Sequence, residues 1–182
     1  MTAQTLTAPA TPSVHRSPGA RAATWLAVVT TIFIGLMAGF FYAYSCSVMI
    51  GLVHTDDATF INAMQAINAN VRNFGFGPVF FGSLALGLVT SVAAFATRLG
   101  GRWYLLAAAV LYAGAFFVTM LVSVPLNEAL AAAGPVAQQS DPAAVRAVYE
   151  SPWTTWNLVR TVLNTAALGV ACMGLLRIRR SA

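Results

Sequence analysis

Four side chains near the C-terminal end have residue types and spacing that could form a functional site. They are Trp153, Asn157, Arg160 and Asn164, at i, i+4, i+7 and i+11, on one face of a predicted helix. Arginine and asparagine side chains can donate hydrogen bonds to a ligand or to a neighbouring helix. Arg160 lies about two turns inside an apolar segment, where a charge is costly unless it meets protein, water or a partner.

Glu128 is the acidic residue that we expect to pair with Arg160. Pro125 is expected to end or kink the preceding apolar helix, which leaves Asn127 and Glu128 at the membrane boundary. Both charges then lie near the same boundary of adjacent helices, and Arg72 competes for the same carboxylate. A structural reading stays open, because Arg160 can also reach the interface or form an ion pair that only holds the bundle together.

The other residues of this group have structural alternatives too. Asn157 and Asn164 could form hydrogen bonds to neighbouring helices. Trp153 could belong to the aromatic belt found at membrane interfaces. The functional reading depends on the convergence of all these side chains with Glu128 on one half of one bundle.

A second polar group lies on a predicted amphipathic helix, whose helix-start residues are Thr55, Asp56 and Asp57. Its apolar residues recur at helical spacing: Phe60, Met64, Ile67 and Val71. Its polar residues recur on another face: Gln65, Asn68 and Arg72. The helix either rests on the membrane surface with its polar face in water, or lines the mouth of a ligand pocket.

The elements that must position these side chains are transmembrane helices. Hydrophobic residues make up 58% of the 182-residue chain and charged residues only 8%, against about 25% charged residues in a soluble domain. Four apolar runs are long enough to cross a bilayer, at about residues 23–53, 76–97, 103–124 and 153–176. The prediction is an all-α integral membrane four-helix bundle of one domain, with short amphipathic helices in the outer loops, one of them over residues 141–150.

The distribution of arginine predicts the orientation of the four spans. Seven arginines fall on one side, in the N-terminal tail, the turn at residues 98–102 and the C-terminal tail, whereas all five acidic residues fall on the other. The positive-inside rule then places both termini in the cytoplasm and the two longer loops outside the cell membrane. Residues 1–22 are expected to form a disordered cytoplasmic tail, and residues 177–182 a basic one.

The sequence also argues against several kinds of site and partner. Two cysteines and two histidines, all widely separated, predict neither a metal site nor a disulfide framework, and no cofactor is predicted. No basic surface interleaved with aromatic residues suits nucleic acid. The expected partners are membrane lipids and a small aromatic or lipophilic ligand, and homo-oligomerisation is left open.

Four segments of the chain carry recognisable motifs: residues 39–45 (GFFYAYS) with Val48 and Met49, residues 64–68 (MQAIN), residues 124–127 (VPLN) and residues 153–160 (WTTWNLVR). In this order they resemble the anthrone oxygenase-like membrane family, much of which is still described as a domain of unknown function. Ile50 and Phe74 stand where family members often carry proline, which makes a shared fold safer to infer than a shared substrate.

The resemblance implies a membrane protein that oxidises an anthrone to an anthraquinone with dioxygen and without a metal. On this view Arg160, Asn157 and Asn127 stabilise the enolate oxygen, and Glu128 is the base or orients Arg160. The aromatic ring would stack on Trp153 and Phe74, with the remaining polar residues around the substrate: Gln65, Asn68, Arg72 and Asn164.

Two further functions compete with the oxygenase. The first is a non-catalytic membrane protein that binds a lipid or a partner protein at its outer face, which needs only a groove. The second is a transporter or channel, which would need several copies of a chain with four spans and no visible internal repeat. The oxygenase requires an enclosed, outer-facing pocket that contains both Arg160 and Glu128.

Overall fold

The protein is described by a computed structural model that covers residues 17–180, apart from the side chain of Arg180. Within these residues every regular element is helical. There are five main helices: α1 (Pro18–Leu52), α2 (Asp57–Asn70), α3 (Gly77–Ala96), α4 (Arg102–Ala132) and α5 (Pro142–Arg180), with a short 3₁₀ turn at Val136–Gln138. The predicted all-α fold is confirmed.

Four of these helices form the membrane bundle. α1, α3, α4 and α5 are long and apolar enough to cross a membrane. α1 packs against α3 and α5, and α4 packs against the same two helices, so the four form a square. The predicted hairpin of α3 and α4 is present, with a turn of only five residues between Ala96 and Arg102. The protein is therefore a multi-pass membrane protein built on a four-helix bundle.

The ends of the outer spans differ from the sequence prediction. α1 begins at Pro18 rather than near residue 23, because Ser17 accepts a hydrogen bond from the amide of Ala20 and proline suits the first turn. α5 continues to Arg180 through most of the segment predicted as a basic tail. The rest of the two predicted tails, residues 1–16 and 181–182, lies outside the described residues.

At one end of the bundle, which we call the capped end, α2 lies over extensions of α1, α4 and α5. Phe60, Ile61 and Met64 of α2 are fully buried there against Leu130 of α4 and Tyr149 of α5. Asp56 caps α2, as the sequence predicts, by accepting a hydrogen bond from the amide of Thr59. α2 is thus packed on protein, and its apolar stripe is part of the core.

Pro125 does not end the third span, so that alternative of the prediction is wrong. α4 passes from Arg102–Val118 through a π-helical turn at Thr119–Ser123 and then continues as Val124–Ala132. The wider turn comes just before the proline, so the missing amide of Pro125 falls where the hydrogen-bond ladder already shifts its register. α1 has a similar π turn at Tyr44–Val48, at the same end of the bundle.

The predicted separation of the helix over residues 141–150 from the fourth span at residues 153–176 is also wrong. The helix predicted over residues 141–150 and the fourth span form one continuous helix, with Pro152 inside it. Tyr149 and Trp153, on either side of the proline, are both buried in the core of the capped end, whereas Pro152 itself is exposed. Packing of this i, i+4 pair holds the helix straight enough to continue, at the loss of one backbone hydrogen bond.

The opposite end of the bundle closes tightly. Ala27, Ala94 and Leu105 are buried together there. The turn between α3 and α4 approaches α5 so closely that a Cβ on Gly101 would collide with the carbonyl of Gly174. Small residues at this end therefore allow the helices to pack closely.

Candidate functional site

A cavity of about 400 Å³ lies inside the capped end. Its walls carry seven aromatic side chains: Phe40, Phe41, Tyr44, Phe76, Phe80, Phe81 and Trp153. Its polar lining consists of hydroxyl, amide and guanidinium groups: Asn68, Arg72, Asn73, Thr119, Asn127, Asn157 and Arg160. No acidic residue lines it, among the residues that the structure describes. The cavity therefore suits a flat, apolar ligand that carries or develops negative charge.

Arg160 forms the cationic wall of the cavity and is only 4% exposed. Its guanidinium lies 4.6 Å from the ring centroid of Phe41 and 5.3 Å from that of Trp153, so two aromatic faces stabilise the charge. One terminal nitrogen donates to Asn157 Oδ1 at 3.0 Å. The Nε–H is buried and has no hydrogen-bond partner among residues 17–180. Arg160 thus has donor capacity left for a ligand.

Asn157 holds Arg160 in place from the adjacent turn of α5. Its Nδ2 donates to the Phe41 carbonyl at 3.2 Å and to Ser45 Oγ at 2.9 Å, and its Oδ1 then faces the guanidinium. Phe41 precedes the π turn of α1, where the shifted ladder allows a backbone carbonyl to accept side-chain donors. The π turn therefore takes part in fixing the orientation of Arg160.

Asn127 organises a second polar group on the neighbouring wall. Its Oδ1 accepts hydrogen bonds from Tyr149 Oη and from Trp153 Nε1, both at 2.9 Å. Asn68 Nδ2 donates to the same tyrosine hydroxyl at 3.1 Å. The indole of Trp153 is held by its hydrogen bond to Asn127 and by the Tyr44 ring, whose centroid is 5.5 Å from that of Trp153. The ring face that borders the cavity is consequently held in one orientation.

Phenylalanine rings at the start of α3 form an apolar part of the lining. Phe76 and Phe80 line the cavity and stack on each other, with centroids 5.2 Å apart and planes 15° from parallel. Phe80 also stacks on Phe116 of α4, which is not a lining residue, at 4.8 Å and 18°. Because stacked rings cover one another's faces, Phe80 offers a ligand its edge, which suits an edge-to-face contact with an aromatic ring system.

Six of the ten predicted site residues line this cavity: Asn68, Arg72, Asn127, Trp153, Asn157 and Arg160. They come from α2 and its C-terminal end, from the extension of α4, and from α5. Their convergence arises because α4 and α5 continue as helices past their prolines. The other four predicted residues, Glu128, Phe74, Gln65 and Asn164, lie elsewhere.

Glu128 does not form the expected ion pair with Arg160. Its side chain is exposed and absent from the cavity lining. Because α4 continues as a helix through Pro125, Asn127 points into the bundle and the next residue points away from it. The ion pairs of the described residues are made instead by Arg146, with Asp57 at 3.1 Å and with Glu150 at 2.6 Å.

Phe74, Gln65 and Asn164 have structural surroundings rather than places in the cavity. Phe74 is 97% exposed, in the loop before α3. Gln65 Nε2 donates to the carbonyls of Leu130 and Gly134, which ties α2 to the end of α4. Asn164 is fully buried one turn below Arg160 and donates to its backbone carbonyl at 2.8 Å.

Several lining residues were not singled out as site residues from the sequence. Tyr44 belongs to a motif quoted for the family resemblance, and Phe76, Phe80 and Thr119 belong to the spans. An aromatic residue inside an apolar helix looks like any other core residue, so its position gave no signal. Tyr44 and Thr119 differ from ordinary core residues in that each begins a π turn, but a π turn is visible only in the structure.

The family model of the anthrone oxygenases matches residues 71–170, more than half of the chain. The chain belongs to the anthrone oxygenase family. The resemblance predicted from the four motifs is thereby confirmed, and the matched range includes the α4 and α5 residues of the cavity. Comparisons with curated proteins and with solved structures give no match.

Between residues 17 and 180 no three or more His, Cys, Asp or Glu side chains come together in a way that could hold a metal ion. His54 and the two cysteines do not line the cavity, and both cysteines are exposed. The donor groups at the site are amides and guanidinium, which bind oxygen atoms of a ligand by hydrogen bonds.

Proposed function

We propose that this protein is a membrane oxygenase that converts an anthrone, or a related flat aromatic substrate with an acidic C–H bond, into a quinone by reaction with dioxygen. The observation that carries the proposal is the state of Arg160. It is a buried guanidinium between two aromatic rings, with a free Nε–H and no carboxylate partner in the described part of the chain. A cation held in this way is arranged to meet an anion that forms during a reaction.

The reaction balances without an external electron donor. Loss of one C–H proton from the central CH₂ group gives an enolate, whose carbon forms a bond to O₂ and yields a hydroperoxide after protonation. Loss of water from this hydroperoxide breaks the O–O bond and the second C–H bond, and forms the new carbonyl. One oxygen atom remains in the quinone and the other leaves as water, so the substrate supplies all the electrons.

The cavity residues have separate tasks in this scheme. Arg160 donates to the enolate oxygen and so makes the C–H bond more acidic, and Asn157 holds the guanidinium in position. Trp153 stacks on the ring, and Asn127 fixes the plane of the indole. The amide nitrogen of Asn127 makes no hydrogen bond to any residue in the described range and can also donate to the ligand.

The proton acceptor in this scheme is water rather than Glu128. The cavity has no carboxylate in its described lining, and its lining includes the exposed residues Arg72 and Asn73, which mark its mouth. Water that enters through this mouth accepts the proton and carries it out of the cavity. The chemistry needs no cofactor, and the proposal assigns none.

The charges of the chain support an orientation for the site. Arginines concentrate at the end of the bundle that carries the two termini, and the acidic residues at the capped end. By the positive-inside rule both termini are cytoplasmic and the capped end faces the outside of the cell membrane. The substrate would then enter from the outer leaflet or the outer aqueous phase.

Oxygen consumption by the purified protein in detergent, with a simple anthrone, tests the proposal. We expect uptake above the spontaneous rate, one quinone formed for each O₂ consumed, and loss of this activity in Arg160→Ala. Circular dichroism and gel filtration of the variant establish that it is folded. Wild-type uptake equal to protein-free detergent would refute the proposal and favour the competing function, a non-catalytic membrane protein that binds a lipid or a partner at this end.

A further inference from the structure

Arg72 is the second cation of the cavity, and it has no partner among the described residues. It follows α2 in the bend that leads to α3, lines the cavity and is exposed. It makes no ion pair or hydrogen bond with any residue between 17 and 180, whereas Arg146, at the same end of the protein, contacts two carboxylates. An arginine at a cavity mouth whose described lining contains no acid keeps its full charge available to a ligand.

The two cations occupy different depths of the cavity. Arg160 is almost fully buried between aromatic rings, and Arg72 is exposed at the mouth. The same cavity is lined by the apolar side chains of Phe76 and Phe80 and by Trp153. A ligand that fits this arrangement has an oxygen at its inner end, a flat aromatic body, and an anionic group at its outer end.

We propose that the natural substrate is a polycyclic aromatic carboxylate, whose carboxylate binds Arg72 while its reacting oxygen binds Arg160. The assignment of a reacting oxygen rests on the proposed function, but binding of the carboxylate does not. A guanidinium matches a carboxylate with two parallel hydrogen bonds, and this planar geometry continues the plane of an aromatic ring that bears the carboxylate. A cavity of about 400 Å³ lies in the range of small-molecule sites.

Binding of two matched ligands tests this assignment without any turnover. Anthraquinone and anthraquinone-2-carboxylate have the same ring system and differ only in the anionic group. Their dissociation constants are measured from the quenching of tryptophan fluorescence, in a detergent without charge, for the wild type and for Arg72→Gln. The control is Arg179→Gln, which removes an exposed arginine from the other end of the bundle and has the same net charge as Arg72→Gln.

We expect the wild type to bind the carboxylate more tightly than the neutral quinone by about five-fold, the size of one exposed charge-assisted contact. Arg72→Gln should abolish this preference while its affinity for the neutral quinone stays unchanged, and Arg179→Gln should behave like the wild type. The preference should also weaken at high salt, because the contact is exposed.

Three results would overturn the assignment, and they differ from a failure of the proposed function. If the wild type binds both quinones equally well, the ring system binds but Arg72 does not recognise an anion on it. If Arg72→Gln keeps the preference, the carboxylate lies elsewhere. If the preference appears only without anionic lipid, and phosphatidylglycerol abolishes it, a lipid phosphate is the partner of Arg72. If neither quinone binds at all, the aromatic site itself is wrong, and the proposed function falls with it.

Discussion

Replacement of Arg160 by methionine separates catalysis from stability at this site. Methionine is similar in length and apolar, so it keeps the packing between the rings of Phe41 and Trp153 while it removes the charge. We expect the variant to lose turnover by about 100- to 1,000-fold, the usual effect of removing one donor from an oxyanion site. We also expect its thermal stability in detergent to stay close to that of the wild type.

The expected stability follows from opposing contributions at Arg160. The variant loses the hydrogen bond to Asn157 Oδ1, which is worth about 1.5–3 kcal/mol for a charged donor, and two cation–π contacts of about 1–2 kcal/mol each. It also avoids burying a cation that has no carboxylate partner in the described structure, a penalty of several kcal/mol. These effects offset one another, so the net change should be about 1–2 kcal/mol in either direction.

Arg146→Met is the matched control, because it changes the same residue type in the same helix. Arg146 is paired with Asp57 and Glu150, donates to the carbonyl of Thr55 at 2.8 Å and lies 4.5 Å from the ring centroid of Phe60. Both carboxylates are partly exposed, so we expect a loss of about 2 kcal/mol and near-normal turnover for each folded molecule. The reasoning is refuted if Arg160→Met destabilises the protein by clearly more than about 2 kcal/mol, the loss expected for Arg146→Met, or if Arg160→Met keeps its turnover.

Three further predictions concern the other polar groups. Asn127→Leu leaves the hydrogen-bond donors of Tyr149 and Trp153 without their acceptor, so we expect a loss of about 2 kcal/mol of stability. We also expect a raised KM, because the indole is no longer held in place; an unchanged KM would mean that the indole orientation does not matter for binding. Glu128→Gln should leave kcat and its pH profile unchanged because the side chain lies outside the cavity; a lost pH step would restore it as the base. Hydrogen bonds from Thr59 lower the pKa of Asp56 below its usual value. The Asp56 carboxylate should therefore stabilise the fold above about pH 4, and this effect should fade at lower pH. Thermal unfolding of the wild type and of Asp56→Ala, at pH 6 and at pH 3, measures the difference.

The sequence was sufficient to predict the helices but not their continuity. Apolar length identified the four spans, and the N-cap at Asp56 identified the start of α2. Pro125 was interpreted as the end or a kink of one helix and Pro152 as the start of another, since local rules favour proline at helix boundaries. At Pro125 a π turn absorbs the missing hydrogen bond, and at Pro152 the burial of flanking aromatic residues outweighs it. Both compensations depend on tertiary contacts that a local rule does not contain.

The same two prolines explain which site residues were predicted correctly. The face shared by Trp153, Asn157 and Arg160 depends only on helical spacing, so it survived the wrong helix boundary. The placement of Glu128 depended on a break at Pro125, and it failed with that break. Because a helix rotates successive residues by about 100°, Asn127 and Glu128 cannot both face the bundle once the helix continues.

The geometry of the capped end also explains how a buried, unpaired cation can persist in a small bundle. Close packing at Gly101 and Gly174 holds the far end together, and the Arg146 ion pairs tie α2 to α5 at the near end. The stability that these contacts supply can support one unfavourable group between them, and Arg160 is that group. An arginine with a purely structural role is expected to pair with a carboxylate, as Arg146 does about four turns away along the same helix. The absence of an acid at Arg160 among the described residues, where Asn157 supplies a neutral oxygen instead, leaves its charge for a substrate anion.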